Sequence, residues 1–233
     1  MTGENARHAG VLRLGSKDRI VICNGNCYDY LCEIRSVSRN SLELAVLEEN
    51  LNQSEPNVRV RLYPALIKSD KLEYVVQKAV ELGADSIVPF QSENSVARIS
   101  KNSRENFNQK TERLEKIAES AAKQSGRGVI PFLSPPLTFS EALAEVSAYN
   151  PQIFLAAHEK AETGLKAFLS KLKTLENISA AIFIGPEGGF SQSECEAFRL
   201  AGAGLFSLGK RVLRAETAAL AALACLIYEL ENT

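Results

Sequence analysis

Several things are scarce in this chain, and each scarcity closes off a class of function. No apolar run approaches the roughly 20 residues that a bilayer-spanning helix needs, so no membrane partner is expected. The first ten residues, MTGENARHAG, carry no apolar core segment and do not read as a secretory leader, which makes the cytoplasm the expected compartment. An excess of one charge is missing as well: 27 Lys+Arg face 28 Asp+Glu, for a formal net charge of −1. Residues 1–65 balance too, with eight of each sign. That excludes a broad electrostatic footprint for nucleic acid, so an RNA ligand would have to be read through a local patch and by shape. Cysteine is sparse and odd in number, at five. Cys23, Cys27 and Cys32 have the spacing C-x3-C-x4-C, but no fourth ligand or neighbouring histidine completes a zinc site. They lie in short apolar runs where cysteine serves as a small core residue, so no metal and reduced, structural thiols are expected. Internal repeats and low-complexity segments are absent.

What is present is ordinary globular material, with 45% hydrophobic and 24% charged residues in 233, enough for one large domain or two smaller ones. Residues 11–62 read as β-rich. In "RIVICNGNCYDYLCEI", Asn24-Gly25 stands between two apolar runs as a hairpin signal, and "RNSLELAVL" adds a turn followed by alternation at Leu42, Leu44 and Val46. Short strands with polar turns predict a small barrel or sandwich. The polar stretch 48–57, with its proline, marks a boundary between a domain at 1–56 and a second at 57–233.

Beyond it the rhythm becomes strand–helix–strand. "VRVRLYPAL" alternates as a strand; Ser69 is placed to cap a helix whose Leu72, Val75, Val76, Ala79 and Leu82 share one face, with Gly83 at its end. Strands are expected at 86–90, 152–157, 180–184 and 205–208, and helices at 105–124, 140–148, 160–175 and 216–230. This alternation predicts an α/β domain with a mostly parallel sheet covered on both faces. The alanine-rich final helix fits either a core element or an oligomer interface.

One stretch singles itself out. In "FIGPEGGFSQSE", residues 183–194, a buried strand ends in a glycine-rich turn, and Ser191-x-x-Glu194 forms a capping box that opens the next helix. Ligands of open α/β sheets sit beyond the carboxyl ends of strands. The turn lacks the Gly-Lys-Ser/Thr of a P-loop and the G-x-G-x-x-G of a dinucleotide site, and Glu187 would repel a phosphate. A ligand without phosphates escapes that objection. S-adenosylmethionine carries a cationic sulfonium beside which a carboxylate is neutral or favourable, and glycines let the backbone approach its adenosine. A tight strand–helix connection with no ligand remains the alternative. A second loop, "SLGKRVLRAETA", also follows a strand and packs Lys210, Arg211, Arg214 and Glu216 into seven residues ahead of a buried-looking helix.

Together, "IGPEGGFS" and "LGKRVLRAETAA" resemble the signature of the RsmE family of SPOUT methyltransferases, which methylate N3 of a uridine in bacterial small-subunit (16S) ribosomal RNA. "KSDKLEYVVQKAVELGADSIVPF" and "AAKQSGRGVIP" resemble two further family blocks, and "HAGVLRLGSKDRIVICNG" resembles the N-terminal PUA-like RNA-binding β-barrel. The resemblance implies a trefoil-knotted α/β methyltransferase domain, a homodimer, and S-adenosylmethionine bound in the knot near the dimer interface. It implies cofactor loops at 155–158, 184–189 and 208–213: Leu155, Ala156, His158, Ile184, Gly185, Pro186, Glu187, Gly188, Gly189, Leu208, Gly209, Val212 and Leu213. Gln124, Gly126 and Arg127 match a Gln-x-Gly-Arg block near the substrate, and His8, Arg13 and Lys17 match the RNA-binding barrel. Asn94 stands where the family commonly has arginine, with Arg98 as a spatial substitute, and Lys123 stands where an acidic residue is frequent.

Methyl transfer to uridine N3 requires loss of a weakly acidic proton and spreads charge onto the flanking carbonyl oxygens. The expected catalytic set is Arg127 or Arg214 at those oxygens, with Glu216 or Glu187 orienting them or relaying the proton. An Arg214–Glu216 ion pair that merely fixes the loop is the alternative. A SPOUT enzyme acting on another RNA such as tRNA, and a non-catalytic RNA-binding assembly protein, complete the set of readings.

Overall fold

In the computed structural model, residues 1–38, 40–99, 104–170 and 178–231 are described, apart from the side chains of Glu4, Asn5, His8 and 104–109. The chain divides into two compact units: Met1–Glu55 with Gly126–Val129, and Pro56–Ser125 with Ile130–Thr233.

The first unit opens on a helix that the sequence did not signal, α1 (Glu4–Val11), followed by strands β1 (Arg19–Cys23), β2 (Tyr28–Val37) and β3 (Leu42–Leu51). The strands form one antiparallel sheet in the order β1-β2-β3. The hairpin expected at Asn24-Gly25 is there as a longer loop, held by Asn24 Oδ1 accepting from the Asn26 amide at 2.8 Å, with Gly25 at φ +79°. Ala6 and Ala9 of α1 pack with Ile34 and Leu42 of the sheet. The alternation Leu42, Leu44, Val46 fails at its third member, for Val46 is 60% exposed. A register shift between Leu31 and Cys32 lies opposite it, and a bulge of this kind re-aims the side chains beyond it. Gly126–Val129 joins this unit through Ser54 Oγ and Asn52 Nδ2, which donate to the Gly126 carbonyl at 2.8 and 3.0 Å.

The second unit is built on β4 (Arg59–Pro64), β5 (Ser86–Ile87), β7 (Phe132–Leu133), β9 (Ile153–Ala157), β10 (Ser179–Ile184) and β11 (Gly204–Phe206). All pairings are parallel, in the order β11-β9-β10-β4-β5-β7. A short pair, β6 (Phe90–Gln91) with β8 (Leu137–Thr138), lies beside it. The strand expected at 86–90 is thus split, and Pro89, which has no amide proton to give a ladder, sits at the break. Helices α2 (Ser69–Glu81), α3 (Arg104–Ser125), α4 (Phe139–Tyr149), α5 (Leu165–Leu169), α6 (Gln192–Leu200) and α7 (Ala215–Glu231) cover the sheet.

Because successive strand residues point to opposite faces, β10 feeds two cores. Ala180, Ile182 and Ile184 pack with residues of α2, α3, α5 and α7. Ala181 and Phe183 pack with residues of α4 and α6, where Phe183 stacks on Tyr63 at 4.1 Å between centroids. On that face Glu145 of α4 accepts from both Arg61 and Tyr63 of β4, which share a side of their strand. Burial and this carboxylate push the Tyr63 phenol up.

Two helix expectations need correction. Lys68, not Ser69, is the N-cap of α2, and Ser69 lies within the first turn with its hydroxyl toward Glu73. Of the helix expected at 160–175, only Leu165–Leu169 is helical among the described residues, and 171–175 lie outside them. Its proposed first turn is instead tied to the end of β11 by the Ser207 amide donating to the Thr163 carbonyl at 2.9 Å.

The candidate cofactor cleft

Strands β11, β9 and β10 are neighbours and parallel, so the loops leaving their carboxyl ends converge. They enclose a cleft of about 220 Å³. Its wall comprises His158 and Glu159 after β9, Ile184 and the turn 185–189 after β10, and Leu208, Gly209, Arg211, Val212 and Leu213 after β11. Ala215 and Ala218 of α7 close one side. Leu155 and Ala156 do not line it: they lie within β9, nearly fully buried, with their side chains in opposite cores.

The turn 185–189 is braced from several directions. The Gly189 amide donates to the Pro186 carbonyl at 2.9 Å, and Gly189 takes φ +68°, a conformation that glycine adopts without strain. At Gly188 a Cβ would come within 3.1 Å of Asn94 Cβ, and Asn94 Nδ2 donates to the Gly189 carbonyl at 3.1 Å. Asn94 is therefore used here to hold the turn. Arg98 donates through Nη2 to the carbonyl of Glu93, the residue before Asn94, at 3.0 Å. The capping box at the start of α6 is complete, and its buried Glu194 does more than cap. It accepts from the Ser191 amide at 3.0 Å, the Ser92 hydroxyl at 2.9 Å and the Glu93 amide at 2.9 Å.

The charged residues fall into distinct settings. Glu216 forms no pair with Arg214; it faces Lys71 of α2, whose Nζ is 3.4 Å from Glu216 Oε2 and 3.2 Å from Glu187 Oε1. The hydrogen bond to Glu187 raises the Lys71 pKa from its ordinary value, against partial desolvation and with help from Glu216. Arg214, just ahead of α7, is exposed, and among the described residues its guanidinium makes no hydrogen bond or ion pair. Arg127 differs on each point. It belongs to the first unit, is 7% exposed, and grips Glu55 through Nη2 at 2.6 Å and Nε at 3.2 Å. The same carboxylate accepts the Val129 amide at 3.0 Å, so the pair fixes the 126–129 segment. Gln124 is exposed at the end of α3. Arg13 and Lys17 are exposed at φ 57° and 74°, and the side chain of His8 lies outside the described residues. Lys71 and Glu159 are the charged site residues that the sequence did not flag. Only the order of elements gave a clue to them: Glu159 lies two residues past a strand end, and Lys71 sits in the first turn of a helix.

The wall suits an adenosine-like ligand. Among the described residues, the backbone N–H and C=O groups of Leu208, Val212 and Leu213 have no hydrogen-bond partner in the protein. Such groups are strong donors and acceptors left for a base to read. Gly209, at φ +121°, has nothing within 4 Å of where its Cβ would stand. Among the described residues no cluster of three or more His, Cys, Asp or Glu is placed to hold a metal, and no helix is long and apolar enough to cross a membrane.

Comparison with known proteins agrees with this geometry. A family model described as an RNA methyltransferase domain matches residues 54–227, and one described as an RNA methyltransferase PUA domain matches residues 1–47. The ribosomal RNA small subunit methyltransferase E of Bacillus subtilis is 31% identical over 99% of this chain and 90% of its own. Its Rickettsia conorii counterpart is 32% identical over 92% of this chain and 82% of its own. The crystal structure of the Neisseria gonorrhoeae enzyme of that name, bound to S-adenosyl methionine, superposes with a TM-score of 0.85 at 26% identity, covering 97% of this chain and 89% of that one. A parallel-sheet methyltransferase unit, a PUA-type unit and full-length similarity thus coincide, and the chain belongs to the ribosomal RNA small subunit methyltransferase E (RsmE) family of SPOUT RNA methyltransferases.

Proposed function

We propose that this protein methylates N3 of a uridine in the 16S RNA of the small ribosomal subunit, with S-adenosylmethionine as donor. The observation that carries the reading is the cleft where three strand ends meet, with unpaired backbone groups on one loop and a carboxylate on another. S-adenosylmethionine supplies a methyl group already activated on a sulfonium. The chain's own work is to hold the nucleophile in line with it and to manage one proton. Leu208, Val212 and Leu213 offer backbone groups to the adenine, while residues 184–189 supply the opposite wall. Glu187 and Glu216 supply carboxylates for the N3 proton.

Arg214 is the arginine we assign to the uridine carbonyl oxygens, because its guanidinium is exposed and unengaged whereas that of Arg127 is buried against Glu55. Its loss should resemble the loss of a donor to a developing oxyanion. Arg214→Ala is expected to slow methylation by about 10²–10³-fold with S-adenosylmethionine affinity nearly unchanged. Equal losses in both would remove the assignment.

N3 lies on the Watson–Crick edge, so the target base must be unpaired or extruded. With balanced charge overall, the RNA contacts are local: the first unit, residues 1–56 in our division, presents exposed Arg13 and Lys17, with His8 alongside in sequence. Gln124 is the candidate contact on the second unit, which we take as residues 57–233. We further propose a cytoplasmic homodimer acting on assembled subunits. In support, Thr217, Cys225 and Tyr228 leave a strip of α7 exposed, and Val212 is 81% exposed on the cofactor loop.

The test is nucleoside mass spectrometry on unmethylated small subunits incubated with the protein and S-adenosylmethionine, with free tRNA in parallel. New 3-methyluridine in the subunit RNA alone is the expected result. Methyl on tRNA alone, or on neither RNA, would overturn the reading.

A further inference from the structure

Lys71 looks in the sequence like one more polar residue on the outer side of an amphipathic helix. In the fold it joins two elements of the cleft. Its Nζ reaches Glu187, on the turn after β10, and Glu216, in the first turn of α7. The three side chains are sheltered, at 23% exposed for Lys71, 32% for Glu187 and 15% for Glu216. Two carboxylates that approach one ammonium this closely are close to each other. Without the cation between them the two like charges would repel each other. A second observation concerns the atom that faces the lysine. Glu216 Oε2 is buried and, among the described residues, has no polar partner apart from the Lys71 ammonium 3.4 Å away. Buried carboxylate oxygens are normally satisfied, and one that is not asks what it is kept for.

We propose that Lys71 is a positioning residue for methyl transfer, holding Glu187 and Glu216 together and ionised at the cleft wall so that a carboxylate oxygen is ready for the proton of the methyl acceptor. The inference rests on the uridine-N3 reading. In the balanced step the N3–H bond breaks and its proton passes to the carboxylate. The nitrogen electron pair forms the N3–CH₃ bond, and the C–S bonding pair stays on sulfur as a thioether. A protonated carboxyl could not serve, which is what the lysine prevents. The other titratable groups around this pair are His158, Glu159 and Arg211 on the cleft wall, Lys68 and Asp70 beside Lys71 on α2, and Arg214 ahead of Glu216. The hydrogen bond to Glu187 favours the charged form of Lys71 and raises its pKa.

The experiment compares kcat/KM against pH for the full-length protein, Lys71→Met and Lys71→Arg, on unmethylated small subunits, with S-adenosylmethionine affinity measured by calorimetry. Lys71→Met is expected to lose up to about tenfold on the acid side of the profile, with its acid limb moved up by about one pH unit and activity recovering as pH rises. Lys71→Arg should return the profile toward that of the parent, and cofactor affinity should change little in either. A loss that is uniform across pH would mark a merely structural lysine and overturn the proposal, as would an unshifted acid limb. Should Lys71→Met fail to fold, Lys71→Arg is compared in the parent and in Glu216→Gln. The proposal expects any change in the arginine profile to disappear when Glu216 is gone, and its persistence would count against it. A parent protein that methylates no uridine at all refutes the functional reading instead, so the two failures are distinct.

Discussion

The two loops that face each other across the cleft are built in opposite ways. The turn 185–189 is pinned by Asn94 from one side and by the Phe190 ring, 3.4 Å from where a Gly185 Cβ would stand. Behind it, Glu194 ties the start of α6 to residues 92 and 93. The segment 208–214 is fixed mainly at its ends. Gly209 exchanges hydrogen bonds with Ser207 Oγ, at 3.1 and 3.2 Å, and the Arg214 carbonyl accepts from Ala218 at 2.8 Å. Between those anchors the backbone groups of Val212 and Leu213 have no partner among the described residues, and Val212 projects outward. One wall is ordered before anything binds; the other keeps its bonding capacity for ligand, RNA or a second copy. Preorganisation on one side lowers the ordering cost of binding, while unspent donors on the other supply the recognition.

The largest effect should come from removing the brace. Glu194→Ala strips three hydrogen bonds to a buried carboxylate and orphans their donors, at a cost on the order of 3 kcal/mol. For a chain of this size that corresponds to a fall in Tm of roughly 6–12 °C, readable by calorimetry. A Tm within 2 °C of the parent would mean that the ordered wall does not depend on this clamp. The opposite wall calls for a different measurement. Val212→Asp places a charge on the outward face of the segment, and the folded state should hardly notice, as for most surface changes. Self-association is expected to weaken about tenfold or more by sedimentation velocity if this loop meets a second copy, because a buried carboxylate without a partner is costly. Unchanged association would move the dimer interface elsewhere.

The contrast also explains what the sequence made legible. The ordered wall is written locally: the apolar run of β10, the glycine pair and the Ser191-x-x-Glu194 box are contiguous, so strand, turn and helix start could be read in place. The parallel sheet was legible for the same reason, since Ala180–Ile184 is apolar throughout and must be covered on both faces. Partners distant in sequence were not. Lys71 meets Glu187 across 116 positions and Arg127 meets Glu55 across 72, and no spacing rule connects them. The sequence thus leaves Arg127 open to a catalytic role, and its grip on Glu55 shows only in the fold. Leu155 and Ala156 enter the expected site through the family resemblance, although a strand sends neighbouring side chains to opposite cores. Helix α1 escaped because its packing residues, Ala6 and Ala9, bury too little to mark a face.

The finest test of the ordered wall lies at the contact between Gly188 and Asn94. A methyl group at position 188 would stand 3.1 Å from Asn94 Cβ, closer than ordinary packing, so either the turn or residue 94 must yield. Gly188→Ala alone should cost about 1 kcal/mol, as overpacking of this degree does, and should weaken S-adenosylmethionine binding through displacement of the turn. Asn94→Gly alone forfeits the hydrogen bond to the Gly189 carbonyl, a similar amount. Together they should cost less than the sum by roughly 0.5–1 kcal/mol, because the glycine at 94 removes the atom that the alanine at 188 would strike. Strict additivity in a calorimetric double-mutant cycle would mean that the turn absorbs the added methyl without engaging residue 94. The wall would then be ordered by its own glycine geometry and by Glu194, with Asn94 only a bystander at its edge.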